Sequence, residues 1–295
     1  MSYWAERQAK AQENLTTKNI AETEKQLKRY YQRTMKNVIE EFENTYSKLL
    51  STVADGREPT PADLYKLDTY WKMQGQLRNE LQRLGDQQAA TLSKNFMQEY
   101  QQIYEAVALK DDLFFAEISQ ETAQQMINQI WCADGKSWSS RIWKNTDRLQ
   151  QALNDGLIDC VLTGKKPTDL KKLLMEQFDV SYRSADSVVR TEMAHIQTQA
   201  AKQRYLDAGI TEVEVWAEKD ERQCEICGKL HQKRFPIDSA MPVPAHPRCR
   251  CCIIPVVEEK KEVEFFTSAS YNDDKPCFED NVSFNHSSDC RQACR

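Results

Sequence analysis

The sequence predicts an α+β protein that is predominantly α, with a long helical N-terminal region, a small α+β domain with short strands, and an acidic, flexible tail. Three observations carry this reading. Apolar residues recur at steps of three and four from Leu27 to Leu206. The period switches to two at Thr211. Beyond Val257 the chain is polar and acidic, with no apolar period left. The expected boundaries are 1–136 for the helical region, 137–257 for the mixed domain and 258–295 for the tail.

In the first helix Leu27, Tyr31, Met35, Val38, Phe42, Tyr46, Leu49 and Val53 share one face, and Asp55-Gly56 ends it. Thr60-Pro61-Ala62-Asp63 reads as a fresh start, with Thr as N-cap, Pro at the first helical position and an acid in the first turn. Leu64, Leu67, Trp71, Leu77, Leu81 and Leu84 continue that helix, which is expected to stop at Gly85. Leu92, Phe96, Tyr100, Ile103, Tyr104 and Val107 make a third stripe. Aromatic residues at this spacing indicate packing between helices rather than a base-stacking surface.

Residues 111–136 are less regular, with a short helix around Met126, Ile127 and Ile130. Ser137-Trp138 opens a helix through Leu149 and Val161 that closes at Gly164, with Pro167 beyond. Thr168-Asp169 begins another, carrying Leu170 to Phe178, and a separate, longer helix is expected from about Ser184 to Leu206, ended by Gly209. TEVEVWAE (211–218) then alternates as a strand. Cys252, Ile254 and Val256 alternate in a second strand, which Pro255 confines to an edge or an end, and Phe235-Pro236-Ile237 adds a short third.

Composition narrows the function classes. The chain has 295 residues and a net charge of −5. Nine acidic and five basic residues lie in 258–295, so the remainder is close to neutral. This balance argues against a surface that grips nucleic acid over its whole extent and leaves a local basic groove open. Without a dense basic run, the charge gives a DNA-binding module no support. No run of about 18 apolar residues exists, so no membrane contact is expected. With no secretory signal at the N-terminus, the ten cysteines read as reduced thiols and metal ligands rather than a disulfide framework.

Between the strands lies the chemistry. Cys224-x2-Cys227 precedes His246-x2-Cys249-x-Cys251, with prolines at 242, 244 and 247 stiffening the approach to the histidine. Thiolates and imidazole on two knuckles are the donors of a tetrahedral zinc site. Five candidates, Cys224, Cys227, His246, Cys249 and Cys251, compete for four positions, and the fourth ligand is Cys249 or Cys251. Cys252 points the other way in an extended chain and belongs to the core. His231 is an alternative to His246, though it has no ligand neighbour at metal-binding spacing. A structural zinc would replace the apolar core that two or three short strands cannot build.

No catalytic residues are assigned. There is no H-x-E ahead of a P-C-x-x-C and no H-E-x-x-H, and His195 is the one spare histidine near the domain, on a helix. Arg190 and Glu192, two apart on one helix, do not face each other and need separate partners. Arg190 is expected to anchor a loop carbonyl or Asp220, and Asp220 to order the first knuckle by accepting backbone N–H groups.

Val189-Arg190-Thr191-Glu192 on a helix, Val215-Trp216, Asp220-x3-Cys224-x2-Cys227 and His246-Pro247-x-Cys249-Arg250-Cys251 occur in the order and spacing of the Mu protein F-like head morphogenesis family of phage minor head proteins. The resemblance covers about residues 150–257. It implies a non-enzymatic virion component, assembled in the host cytoplasm and built into the procapsid interior at the portal vertex. The implied partners are the portal protein and other capsid or scaffold proteins, with a role in DNA packaging or ejection. Some relatives carry an enzymatic domain after the shared region, and the 38 residues that follow here are too few and too polar for one. The alternative is a zinc-dependent nuclease, or another DNA-processing enzyme, acting at the phage head.

Overall fold

A computed structural model describes residues 3–53, 57–107 and 119–257. The expected stop at Asp55-Gly56, the residues 111–118 and the acidic tail with its cysteines at 277, 290 and 294 lie outside them. The elements are α1 (Tyr3–Thr52), α2 (Pro61–Tyr65), α3 (Asp68–Ala106), α4 (Gln120–Asn128), α5 (Trp138–Leu162), α6 (Pro167–Asp207), β1 (Glu212–Trp216), α7 (Glu225–Leu230), β2 (Arg234–Pro236) and β3 (Cys252–Pro255). The predominantly helical α+β class is therefore observed.

Long helices α1, α3, α5 and α6 pack around one apolar core that includes Leu27, Phe42, Tyr46, Leu81, Phe96, Tyr100, Leu153 and Val189. A polar cluster is buried between α1 and α3: Glu99 accepts from the Thr16 hydroxyl at 2.5 Å and the Asn19 amide at 2.7 Å. Desolvation raises the Glu99 carboxyl above its ordinary value, against the pull of those two donors.

The helix starts follow the capping residues. Thr60 closes a reciprocal capping box with Asp63 ahead of Pro61. The Ser137 hydroxyl accepts from Ser140 N at 3.2 Å, and Gly209 takes the left-handed conformation (φ +73) after α6.

Three helix boundaries differ from expectation. The segment from Thr60 does not run straight on: it breaks at Lys66-Leu67, and Leu67 is the extended N-cap of α3. Trp71, expected on the apolar stripe, is 61% exposed and donates its indole N–H to Tyr65 O at 3.0 Å. Gly85 does not end a helix, because α3 continues to Ala106. A Cβ built on Gly85 would sit 2.3 Å from the Trp143 ring of α5, so glycine here serves close helix approach rather than chain reversal. The two helices expected over 168–206 are one, α6. The Ser184 hydroxyl bonds Val180 O at 3.2 Å, four residues back, instead of capping a new start.

The sheet has the order β2-β1-β3, antiparallel throughout, with Val213 opposite Phe235 and Val215 opposite Ile253. Both prolines of the strands, Pro236 and Pro255, sit on edge strands, where no ladder donor is needed. In β3 all four residues are buried rather than alternate ones, because α1 and α6 cover it. Ala9 of α1 packs on Cys252 and Ile254. Gln12 Nε2 and Tyr205 OH donate to Ile253 O at 3.0 and 3.2 Å, which occupies a carbonyl of this edge strand.

Candidate metal centre

The first knuckle forms at the start of α7. Cys224 is its N-cap, and Cys227 N donates to Cys224 Sγ at 3.3 Å, so the first helical turn aims both sulfurs to one side. The second knuckle turns at Arg248 (φ +62), and Cys249 N donates to His246 O at 3.2 Å. Together they place Cys224, Cys227 and His246 in one group and Cys227, Cys249 and Cys251 in another, each with its donor atoms within 4.8 Å of one another. Cys227 belongs to both.

Donor spacing and chemistry suit zinc. His246 Nε2 lies 3.2 Å from Cys224 Sγ and 3.1 Å from Cys227 Sγ, and Cys227 Sγ lies 3.8 Å from Cys249 Sγ. Tetrahedral bonds of about 2.3 Å to sulfur and about 2.0–2.1 Å to nitrogen separate neighbouring ligands by roughly 3.5–3.8 Å, so the observed set needs only slight expansion. His246 Nδ1 lies 2.8 Å from Pro247 O. Donation to that carbonyl fixes the tautomer and leaves the Nε2 lone pair facing the thiols, as metal-bound histidines require. Cys227, Cys249 and Cys251 are buried, at 6%, 3% and 2% exposure, while Cys224 and His246 are half-buried, so most of the donor set lies beneath the surface.

Proton affinities in the cluster are spread apart. The Cys251 thiol and backbone N–H groups draw the Cys249 thiol down to about 5, against burial. The same contact, from the other side, raises Cys251. Burial pushes Cys227 up to about 12. Cys224 is lowered, chiefly by the Cys227 N–H. Burial disfavours a charged His246, yet the Pro247 carbonyl and the neighbouring sulfurs raise it overall. A metal taking these ligands would displace protons, so its binding would weaken as pH falls.

Two arginines flanking Cys249 tie the knuckles to the body. Arg248 donates to Asp186 at 2.7 Å, and its backbone N–H donates to the Thr191 hydroxyl at 3.1 Å, both on α6. Arg250 clamps both Asp220 oxygens at 2.7 and 2.6 Å and reaches Glu218 at 2.9 Å, linking the second knuckle to the approach of the first. As expected, Asp220 also accepts a backbone N–H, from Arg222 at 3.0 Å. The bond from Arg250 holds the Asp220 carboxyl well below its ordinary range. Arg190 departs from expectation: it pairs with Glu24 of α1 and Asp186, not with Asp220 or a loop carbonyl. Both arginine anchors escaped sequence reading, because their partners lie about 30 or 60 residues away.

The remaining singled-out residues lie elsewhere. His231 Nδ1 accepts from Ala217 N at 3.1 Å and its ring meets Trp216 edge-on, which removes it from the metal cluster. Cys252 packs with Ala9 and Ile254. Glu192 is buried and accepts from the Trp131 indole at 2.9 Å, while His195 stacks on the same indole with ring centres 4.2 Å apart. Burial lowers His195 to about 4, so the ring is neutral at pH 7.

Residues 151–254 match the family model of phage Mu protein F-like proteins. The matched segment begins within α5, contains all of α6 and ends in β3, so it includes every candidate ligand and the α6 anchors of the second knuckle. The NAD(+)–arginine ADP-ribosyltransferase EFV of Enterococcus faecalis is 26% identical over 162 residues, covering 45% of this chain and 33% of that protein. The chain thus spans about a third of that relative's length. No solved structure matches the chain. Among the described residues no helix is long and apolar enough to cross a membrane.

Proposed function

We propose that this chain, as the bearer of a Mu F-like segment over residues 151–254, is a minor capsid protein of a phage head. In this reading it is a structural component assembled in the host cytoplasm. It is built into the procapsid interior at the portal vertex, against the portal protein and other capsid or scaffold proteins, and assists DNA packaging or ejection. A zinc ion held by Cys224, Cys227, His246 and one of Cys249 and Cys251 supports the sheet and does no chemistry on a substrate.

The observation that carries the structural role is the use to which the motif residues are put. Thr191 receives the backbone of the second knuckle, Arg190 binds Glu24 and Asp186, and Glu192 binds Trp131. Each polar member of the R-T-E helix is thus occupied in joining parts of the fold, which supports an architectural rather than a catalytic motif. The transferase activity in the relative's name belongs to a protein three times as long as the shared segment.

Two measurements test the reading. Zinc at one equivalent per chain is expected, lost in Cys224→Ser, with Cys249→Ser and Cys251→Ser reading which thiol completes the site. Purified procapsids should yield the chain together with portal protein. Metal-dependent cleavage of plasmid DNA, abolished in Glu192→Gln at unchanged melting temperature, would replace this reading with the nuclease one. Arginine labelling from NAD would replace it with a transferase.

A further inference from the structure

The charge of α1 is sorted along its length and around its axis. Between residues 7 and 36 it carries eight basic residues and three acidic ones, whereas Glu40, Glu41 and Glu43 follow immediately after. From Lys25 to Lys36 there are five cations, Lys25, Lys28, Arg29, Arg33 and Lys36, and no acid. In the linear sequence these are spread out. On a helix, at 3.6 residues per turn, Lys18, Lys25, Arg29 and Lys36 fall within about 40° of one another, with Lys28 and Arg33 to either side.

This ridge is diametrically opposite the face that packs on α3 and α6, where Thr23, Leu27, Tyr31, Thr34 and Val38 are buried. Lys18, Lys25, Lys28, Arg29, Arg33 and Lys36 are all exposed. None of the six forms an ion pair or hydrogen bond with another described residue, although Arg190, Arg248 and Arg250 elsewhere each find carboxylates. Glu22 is the single acid on this ridge between Asn14 and Ile39.

We propose that the exposed ridge of α1 from Lys18 to Lys36 is a docking surface for the phosphate backbone of duplex DNA. Charge complementarity and the length of the row both support this occupant. The row is about 27 Å long, the length of roughly eight base pairs. Its cations are interleaved with the neutral hydrogen-bonding side chains Asn14, Thr17 and Gln32, all exposed, which suit phosphate oxygens. A protein partner would need an apolar centre to its interface, and none of the large exposed apolar side chains, such as Trp71, Ile130 or Leu162, lies on α1 between Lys18 and Lys36. The surface is independent of the metal centre and goes beyond the structural role proposed above. It places DNA against the helical body, where a chain of net charge −5 can still present a local positive face.

The test is binding of the full chain to a fluorescein-labelled duplex of arbitrary sequence, read by anisotropy over a series of salt concentrations. The expected result is a micromolar Kd at low salt that weakens steeply as salt rises, at about 0.9 in log–log slope per phosphate contacted. The variant Lys25→Ala/Lys28→Ala/Arg29→Ala/Arg33→Ala removes only exposed, unpaired side chains and inserts good helix formers, so its melting temperature should hold. Its affinity should drop at least tenfold and its slope shrink by about 3 to 4. Lys171→Ala/Lys172→Ala on α6 should change neither. Absence of binding by the unmodified chain at low salt, or an unchanged slope in the fourfold variant, would overturn the proposal. Displacement of the duplex by poly-glutamate at equal charge concentration would reassign the ridge to an acidic protein partner.

Discussion

From α1 to α6 the chain buries whole aromatic side chains, among them Phe42, Tyr46, Phe96 and Tyr100 at 0% exposure. The sheet region is built differently. Its strands have five, three and four residues, and their short ladder is supplemented by a Cys/His cluster, two arginine clamps and the side chains of α1 and α6 that cover β3. The helical body rests on non-directional apolar burial, which many arrangements of side chains can supply. The sheet region shares that core through Val213, Val215, Ile237 and Ile253, but it adds directional contacts at the Cys/His cluster and the arginine clamps, so single residues there should carry a larger share of its stability. The same difference separates their reach in sequence: helical contacts repeat every turn, while the clamps span tens of residues.

Removing the sulfur common to both donor groups should have the largest effect. Cys227→Ser is expected to lose bound metal and to expose residues 212–257 to proteolysis, with the helical far-ultraviolet signal retained. Metal binding supplies about 10–16 kcal/mol in small zinc domains, so the loss here should amount to several kcal/mol. Collapse of the helical signal along with the metal would show that the two regions do not differ in this way.

Within the body the expected effects are smaller. Gly85→Ala adds a methyl 2.3 Å from the Trp143 ring. The substitution gains about 1 kcal/mol in helix propensity, but overpacking costs about 1–3 kcal/mol. The melting temperature should therefore fall while metal content stays constant. A rise in melting temperature would mean that α3 and α5 do not depend on this close approach.

The smallest effect concerns the join between the two regions. Burial, and then hydrogen bonding to Asp186, push the Glu24 carboxyl from its ordinary 4.5 up to about 7. A carboxyl raised in this way holds its proton more tightly in the folded chain. Its contribution to stability is complete below about 4.5 and is lost as pH rises through about 7. Measured on metal-free protein, so that the opposite pH dependence of metal binding does not enter, melting temperature should accordingly decline across that window. Glu24→Gln has no proton to lose and should flatten the decline in part, leaving the share of Glu13, which hydrogen bonding to Glu218 also raises to about 7. A variant whose melting profile keeps the full slope would remove Glu24 from the account.

Much of this organisation was legible in the sequence because its causes are local. The 3.6 period of apolar residues placed the helices, Thr60, Ser137 and Gly209 marked ends through bonds within their own turns, and the alternation in 212–216 marked β1. The five metal-site candidates followed from short spacings that two turns can present together, and all five lie in the cluster. Non-local contacts were illegible for the corresponding reason. Gly85 and Ser184 each look like boundaries, and only Trp143 arriving from α5 or a bond back to Val180 reveals why the helices continue. The complete burial of β3 came from α1 and α6 folding over it, which no pattern within four residues can express.

Most element types and the candidate donors on their two knuckles follow from residues a few positions apart, although the short helix α7 inside the first knuckle is not among the expected elements. Packing between distant elements decided where the R-T-E residues and the arginines beside Cys249 find their partners. It also decided that scattered cations on α1 form one unpaired ridge, because pairing and exposure depend on which elements pack against which. Apolar periodicity dictates that a helix buries one face; what its other face meets is set by the rest of the fold.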